Sequence, residues 1–219
     1  MPCAHRCRVL TAAVWSPLPH QLTDGTAQRA ARFALDTGAP DRRWSPELSA
    51  TGMAIDVAGD GTRAYIGGTF DAVNADSRFG SFAIVDTETG ALMDGAAPFL
   101  PVDTGDKPLT QRQDVLEVGT NVVIGGSQHD IQMYQRDAMQ LLRSHITRIG
   151  GDLQALTTVG GLVYASCHCA NYLIADATSY PDPSGFSRID PISLIGAFTP
   201  GDLSYVQIWQ PTLSTKGGD

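Results

Sequence analysis

Two short stretches of this chain carry residue types that could bind a metal ion. Cys167, His168 and Cys169 are consecutive, and His129 follows an earlier predicted strand. Thiolates and imidazoles are good zinc ligands, but the Cys-x-Cys spacing is not the usual one, and strand alternation points the cysteines to one face and His168 to the other. The pattern leaves open a metal site, buried thiols, or a disulfide from one cysteine to a partner outside this chain. We assign no metal ligands from it.

A second motif, Asp36-Thr37-Gly38, matches the active-site loop of aspartic proteases. That chemistry needs two aspartates that share one proton. The only other copy, Asp103-Thr104-Gly105, is too close in sequence to supply a second lobe. We therefore predict that Asp36 hydrogen-bonds within its own turn. His145 shows no partners at triad spacing, so we interpret it as structural and predict no catalytic residue.

Oxygen-rich side chains occur in a third place, Asp71–Asp76, which faintly resembles a calcium loop but lacks the EF-hand pattern. In the repeat described below, Asp71 follows the strand that corresponds to those before His129 and Cys167–Cys169. We therefore group these as candidate binding residues, namely Asp71, His129, Cys167, His168 and Cys169. No motif identifies a cofactor.

The charge balance limits the possible partners. The formal net charge is −8, and the cations are scattered, so the sequence predicts no nucleic-acid partner. No apolar run approaches the roughly 20 residues that span a bilayer. Residues 1–26 contain no obvious signal peptide, and we predict that they form a poorly ordered lead-in before a repeat domain over 27–219.

A repeat of about fifty residues organises the remainder of the chain. Apolar strands end in an aspartate and a turn at Asp36, Asp86, Asp137 and Asp190. Between them lie hairpins with glycine turns, at Gly59–Gly61, Gly119 and Gly160–Gly161. Two hairpins, or four strands, per repeat is the content of one propeller blade. We predict an all-β fold, a partial β-propeller of three to four four-stranded antiparallel blades, with a β-sandwich as the alternative.

Three sequence stretches resemble a known family. Tyr65–Asn74, Asp86–Gly90 and Val163–Cys169 are similar to the secreted β-propeller repeats of actinobacteria, of the delta-sixty type. The resemblance covers about 27–219 and implies an extracellular or cell-surface location, with little assigned activity. Members of this family often accompany carbohydrate-binding or immunoglobulin-like domains.

Two functions follow as expectations. The first is a non-enzymatic scaffold or binding module that presents loops to a glycan or a protein. The second is an enzyme, such as a hydrolase, lyase or quinoprotein-like oxidoreductase, with a site at the channel mouth around His129, Cys167 and His168. Because three blades leave two end faces uncovered, we also expect missing blades or a second chain to be needed for closure.

Overall fold

Every regular element that the structure describes is a β-strand, and all the paired strands are antiparallel. The structure is a computed structural model, and it describes residues 8–10, 29–78, 80–94, 111–126, 129–148, 152–177, 189–209 and 211. The chain divides into two compact units, Met1–Ala97 and Pro98–Asp219, and each is described by itself.

The first unit contains a two-stranded sheet and a three-stranded meander. Its strands are β1 (Arg8–Leu10), β2 (Ala31–Phe33), β3 (Gly52–Val57), β4 (Arg63–Gly68) and β5 (Phe82–Asp86). An isolated bridge between Val85 and Leu92 adds the start of a fourth strand to the meander. Trp44, Ile66 and Phe70 are among the buried residues of its core.

The second unit contains two further meanders joined into one seven-stranded sheet. Its strands are β6 (Arg112–Val118), β7 (Asn121–Gly126), β8 (Asp130–Gln135), β9 (Leu141–Arg148), β10 (Leu153–Val159), β11 (Leu162–Ile174) and β12 (Ile189–Phe198). The meanders β6–β9 and β10–β12 join because the last residues of the long β11 pair with β9. Val123, Ile131 and Met133 of the first meander share a core with Leu153 and Val163 of the second.

All three glycine turns lie in antiparallel hairpins, as predicted, and two of them are tight, whereas the loop that holds Gly59–Gly61 between the paired Val57 and Ala64 is longer. Two residues separate the paired Val118 and Asn121, and two separate the paired Val159 and Leu162. The second of these turns consists of Gly160 and Gly161, with φ of 59° and 80°. Positive φ at both central positions is what a two-residue hairpin of matching twist requires, and glycine adopts it without steric cost.

A second kind of turn recurs four times. The backbone N–H of its first residue donates to the carbonyl five residues later, and the fifth residue has positive φ. The first residues of the four turns are Ala34, Asp86, Gln135 and Thr199.

The predicted equivalence of the four repeat aspartates is wrong. Asp86 is the first residue of its turn, whereas Asp36 and Asp137 lie two residues into theirs, and Asp190 lies within β12 opposite Leu173. The repeated feature is a backbone hydrogen-bond pattern, which different side chains can support. Asp86 accepts from the N–H of Glu88 at 3.0 Å, while Gln135 accepts from the N–H of Ala138 at 2.6 Å.

Each meander also has a β-bulge at the same register of its first strand. The pairings jump past Met53, Gln113 and Gln154, which makes Gly68, Gly126 and Cys167 equivalent positions. A sequence offset of 40 residues would instead match Gly126 to Ser166, which is one residue out. A Cβ on Gly126 would lie 1.9 Å from the carbonyl oxygen of Gln111, so this glycine is needed where two backbones meet.

These meanders confirm the predicted fold class, an all-β partial propeller built from antiparallel blades. The meander β6–β9 has the four strands of a complete blade, and the third meander gains a bridge between Phe198 and Tyr205 in place of a fourth strand. The boundary at residue 26 stays a prediction, because Arg8–Leu10 alone is described in the first segment, and it pairs with β2.

Candidate functional site

The Cys-His-Cys stretch forms a bulge in β11 closed by a disulfide. The three residues Cys167–Cys169 face the single residue Leu194 of β12, which has a φ of 62°. Cys167 and Cys169 are bonded to each other, with their Cα atoms 5.0 Å apart. The interpretation of a disulfide to a partner outside the chain is therefore wrong, since each cysteine has its partner two residues away.

The two faces of this bulge differ as alternation predicted. Cys167 and Cys169 lie in the hydrophobic core, whereas His168 is exposed. Because the sulfurs are bonded to each other, they cannot act as thiolate ligands of zinc in this state. Within the described ranges, no group of three or more His, Cys, Asp or Glu side chains is placed to hold a metal ion.

His168 is oriented by an aspartate from the start of the third meander. Its Nδ1 lies 3.0 Å from Oδ1 of Asp152, and its backbone N–H donates to the Asp152 carbonyl at 3.1 Å. The other carboxylate oxygen of Asp152 accepts from Nε2 of Gln113 at 2.5 Å. Gln113 and Gln154 are the bulge residues of β6 and β10, so the two bulges bring this cluster together.

The electrostatics of the cluster favour an ionised Asp152. Burial acts to raise the pKa of Asp152, but hydrogen bonds from Gln113 and Gln154 and the charge of His168 outweigh it and lower the pKa. An ionised carboxylate only accepts hydrogen bonds, so Nδ1 of His168 must be the donor. The His168 ring is 69% exposed, which leaves Nε2 available to solvent or to a ligand.

His129 is positioned by the second meander through its backbone. It has a φ of 57°, and its N–H donates to Gly126 at 3.1 Å. Its carbonyl accepts from the N–H of Thr147 at 2.7 Å and from the Thr147 hydroxyl at 3.1 Å. His129 thus ties the β7–β8 turn to β9, while His168 is held by Asp152 in the third meander.

Asp71 belongs to the first unit, whereas the other four candidate residues belong to the second. The Ser49 hydroxyl donates to the Asp71 carboxylate and accepts from the Asp71 N–H at 3.0 Å. Asp76 pairs with Arg78 at 2.6 Å, and hydrogen bonds from Arg78 lower the pKa of Asp76. The oxygens that suggested a calcium loop therefore hold turns and an ion pair.

His145 is a buried structural histidine, as predicted. Its Nε2 lies 2.7 Å from the carbonyl of Leu203, and its Nδ1 accepts from the N–H of Asp176 at 3.2 Å. One nitrogen therefore donates and the other accepts, which is the pattern of a neutral imidazole. The ring also packs 5.7 Å from Phe198.

A buried ion pair in the second meander was not predicted from the sequence. Nη1 of Arg112 lies 2.9 Å and 2.7 Å from the two carboxylate oxygens of Asp130, and the side chains are 1% and 0% exposed. Gln132 accepts from Tyr134 at 2.6 Å beside it. Asp130, Gln132 and Tyr134 alternate along β8, and polar residues at every second strand position could have revealed this buried layer.

An aromatic pair on the third meander was not predicted either. The rings of Tyr164 and Trp209 pack edge to face, with centroids 4.8 Å apart. Tyr164, Ser166 and His168 lie on one face of β11, opposite the buried Val163 and Ala165. Both aromatic rings are partly exposed. They therefore form part of the surface that also presents His168.

Comparisons with known proteins found structural similarity only. No protein-family model matches the chain, and no curated protein matches its sequence. The chain is similar to the Pan2 WD40 domain of Neurospora crassa at 10% identity and a TM-score of 0.49, with 81% of this chain and 45% of that one covered. It is similar to BamB of Moraxella catarrhalis at 15% identity and a TM-score of 0.49, with 86% and 60% covered.

A computationally designed protein, Ika8, is similar at 13% identity and a TM-score of 0.42, with 80% of this chain and 51% of that one covered. The chain thus spans less than two thirds of the length of each of these proteins. Its fold class follows from its own strand order and registers rather than from these similarities. In the part of the chain that the structure describes, no helix is long and apolar enough to cross a membrane.

Proposed function

We propose that this chain is a non-enzymatic β-propeller scaffold or binding module of an exported or cell-surface protein, with a glycan or a protein as its ligand. The antiparallel meanders supply a rigid support for exposed side chains. The resemblance of Tyr65–Asn74 to secreted actinobacterial repeats supports export. The fold alone does not separate binding from catalysis, so the proposal depends on the chemistry of the exposed residues.

The observation that carries the proposal is the Cys167–Cys169 disulfide. Disulfides persist in oxidising compartments, which favours an exported protein. The same bond uses both sulfurs that an active site around His129, Cys167 and His168 would need as nucleophiles or ligands. What remains exposed at this place is a histidine with its carboxylate partner, which can donate and accept hydrogen bonds to a ligand.

One observation favours the second candidate, an enzyme that uses acid–base chemistry. Asp152 holds Nδ1 of His168 and leaves Nε2 free to exchange a proton, as in catalytic His–Asp pairs. A hydrolase or lyase would need such a group. Loss of a measured hydrolytic activity in both His168→Gln and Asp152→Asn would favour the enzyme over the binding module.

Location is tested in cells that express the natural gene. Thiol alkylation without reduction, followed by mass spectrometry of the culture medium and of the cell-surface and cytoplasmic fractions, reports the location and the redox state of Cys167 and Cys169. We expect the protein outside the cytoplasm with the two cysteines protected from alkylation. A protein confined to the cytoplasm with both thiols alkylated would contradict the proposal.

Binding is tested separately by co-sedimentation of the purified chain with intact cells. A binding module should sediment with the cells in a saturable manner. Prior treatment of the cells with protease or with periodate, which oxidises sugars, distinguishes a protein ligand from a glycan. A chain that stays in the supernatant at every cell density would contradict the binding function.

A further inference from the structure

We propose that the exposed face of the third meander is a binding site for a neutral polysaccharide, with Tyr164 and Trp209 as its aromatic platform. This inference rests on the proposed binding function and names its surface and ligand class. The face is formed by one side of β10, β11 and β12 with the chain segment after them. Its residues include Ala155, Thr157, Tyr164, Ser166, Ile195 and Trp209.

The equivalent face of the second meander shows what a face covered by another blade requires. A Cβ on Gly125 would lie 2.1 Å from Leu153, so the Leu153 side chain of the next meander sits directly over this glycine. The Asp114 carboxylate accepts from the backbone N–H of Leu156 at 2.5 Å, which satisfies one donor on the edge of β10. Gly125 thus leaves room for a side chain of the next blade, and Asp114 accepts a hydrogen bond from its backbone.

The third meander has neither feature. By the shared bulge register, Ser166 stands where the second meander has Gly125, and Ala155 stands where it has Asp114. A serine side chain occupies the space that would receive a leucine, and alanine cannot accept the edge N–H. The exposed face of the third meander therefore lacks the two features through which the second meander packs against the next blade.

The side chains of this face instead fit a ligand rich in hydroxyl groups. The Tyr164 and Trp209 rings offer an apolar surface on which the C–H face of a sugar ring can pack. Thr157 is exposed beside Tyr164, and Ser166 follows on the same side of β11, so hydroxyls flank the rings. Hydroxyls both donate and accept, as a polyhydroxylated ligand requires.

Charge complementarity favours a neutral ligand. These six residues are uncharged, although the chain carries a formal net charge of −8. Farther along this side of β11 lies His168, whose partner is Asp152. The stretch from Tyr164 to His168 spans roughly 13 Å along the strand. An elongated surface of this kind suits a polymer of sugar rings better than a single sugar.

The test is affinity electrophoresis of the full chain in gels that contain hydroxyethylcellulose, xylan or mixed-linkage β-glucan, with alginate as the anionic comparison. We expect retardation by at least one neutral polysaccharide. Trp209→Ala and Tyr164→Ala should each weaken it by about tenfold or more, since truncation of such aromatic anchors commonly costs this much. Tyr164→Phe, which keeps the ring, should bind within about threefold of the unmodified chain.

Two further variants keep the test independent of folding defects. Thr157→Glu changes an exposed residue beside Tyr164 and should abolish retardation without loss of structure. Leu142→Ala, at a residue 45% exposed on a strand of the second meander, is the matched control and should bind normally. The inference is overturned if no neutral polysaccharide retards the chain, if alginate alone does, or if Thr157→Glu binds unchanged. Co-sedimentation with periodate-treated cells would then show that the chain still binds cells, through a ligand other than a polysaccharide.

Discussion

At the scale of single residues, the recurrent positions of the chain are governed by backbone geometry. Gly126 is required because the bulge of β6 brings the Gln111 carbonyl to within 1.9 Å of where a Cβ would stand. The equivalent position of the third meander is Cys167, whose side chain lies in the core and is bonded to Cys169. Equivalent positions at the bulge therefore carry different residues, a glycine in one meander and a disulfide-bonded cysteine in the other.

Gly126→Ala should destabilise the chain strongly, because the nearest atoms belong to backbone that cannot turn away. We expect a loss of about 3 kcal/mol in the free energy of unfolding, measured by urea denaturation. Gly201→Ala is the matched control, because nothing lies within 4 Å of its Cβ position, and it should stay within about 0.5 kcal/mol. Equal stability of the two variants would contradict the close approach.

Asp202 should make stability depend on pH in the acid range. Hydrogen bonds from Ser204 and Thr199 lower the pKa of Asp202 to about 2 from the ordinary 3.8. A depressed pKa in the folded state contributes stability above the ordinary pKa, and this contribution is lost as the pH falls towards 2. Because the side chain is 61% exposed, solvent limits the effect to less than about 1 kcal/mol.

The measurement is the free energy of unfolding from pH 7 to pH 2 for the unmodified chain and for Asp202→Asn. The variant should be less stable at pH 7, and the difference should shrink as the pH falls. A difference that stays constant across this range would show that the carboxylate charge at the Thr199 turn does not stabilise the fold.

At the scale of elements, bulges decide where side chains meet. The bulges of β6 and β10 place Gln113 and Gln154 beside the Asp152 carboxylate, and the bulge of β11 presents His168 to it. β-bulges redirect side chains and increase local twist, and they are common beside functional sites. The disulfide fixes the last of these bulges by joining residues on either side of His168.

Removal of this disulfide should loosen the bulge more than it destabilises the chain. The closed loop is short, so chain entropy predicts a loss of only about 1.5 kcal/mol for Cys167→Ala with Cys169→Ala. Hydrogen exchange of the His168 amide, which donates to Asp152, should accelerate markedly. Dithiothreitol should accelerate it in the unmodified chain and have no effect in the double variant. An unchanged exchange rate of the His168 amide in the double variant would mean that the β-sheet keeps the bulge ordered without the disulfide.

At the scale of the whole molecule, the repeat leads to an expectation about association. Blades bury their faces against neighbours, so the predicted array of three blades would expose an apolar face at each end. Val159, at the end of β10, is 63% exposed. We expect the purified chain to associate or to melt at low temperature, measured by size-exclusion chromatography with light scattering and by thermal unfolding.

Val159→Asp should reduce this association, whereas Leu35→Asp, at a residue 55% exposed in the first unit, should leave it unchanged. A sharply cooperative monomer at all concentrations would show that the chain covers its own faces and that the predicted number of blades is too low. If Val159→Asp leaves the association unchanged, the contact between chains lies elsewhere.

The all-β fold and its hairpins could be predicted from the sequence because they follow from local rules. Glycines at Gly119 and Gly160–Gly161 mark tight turns, and strand alternation correctly separated His168 from Cys167 and Cys169. The structural role of His145 was also predicted, from the lack of partners at catalytic spacing. Each of these inferences depends on residues that are near one another in the chain.

The tertiary structure alone decided the features that depend on distant partners. The partner of His168 is Asp152, the Tyr164 ring meets Trp209, and Arg112 pairs with Asp130, each across many residues of sequence. The bulges shift the register by one residue, which a repeat of fifty residues does not reveal. They make Gly126 of the second meander equivalent to Cys167 of the third. Local patterns determine which strands and turns can form, whereas the pairing of distant side chains depends on registers that are fixed only when the sheets assemble.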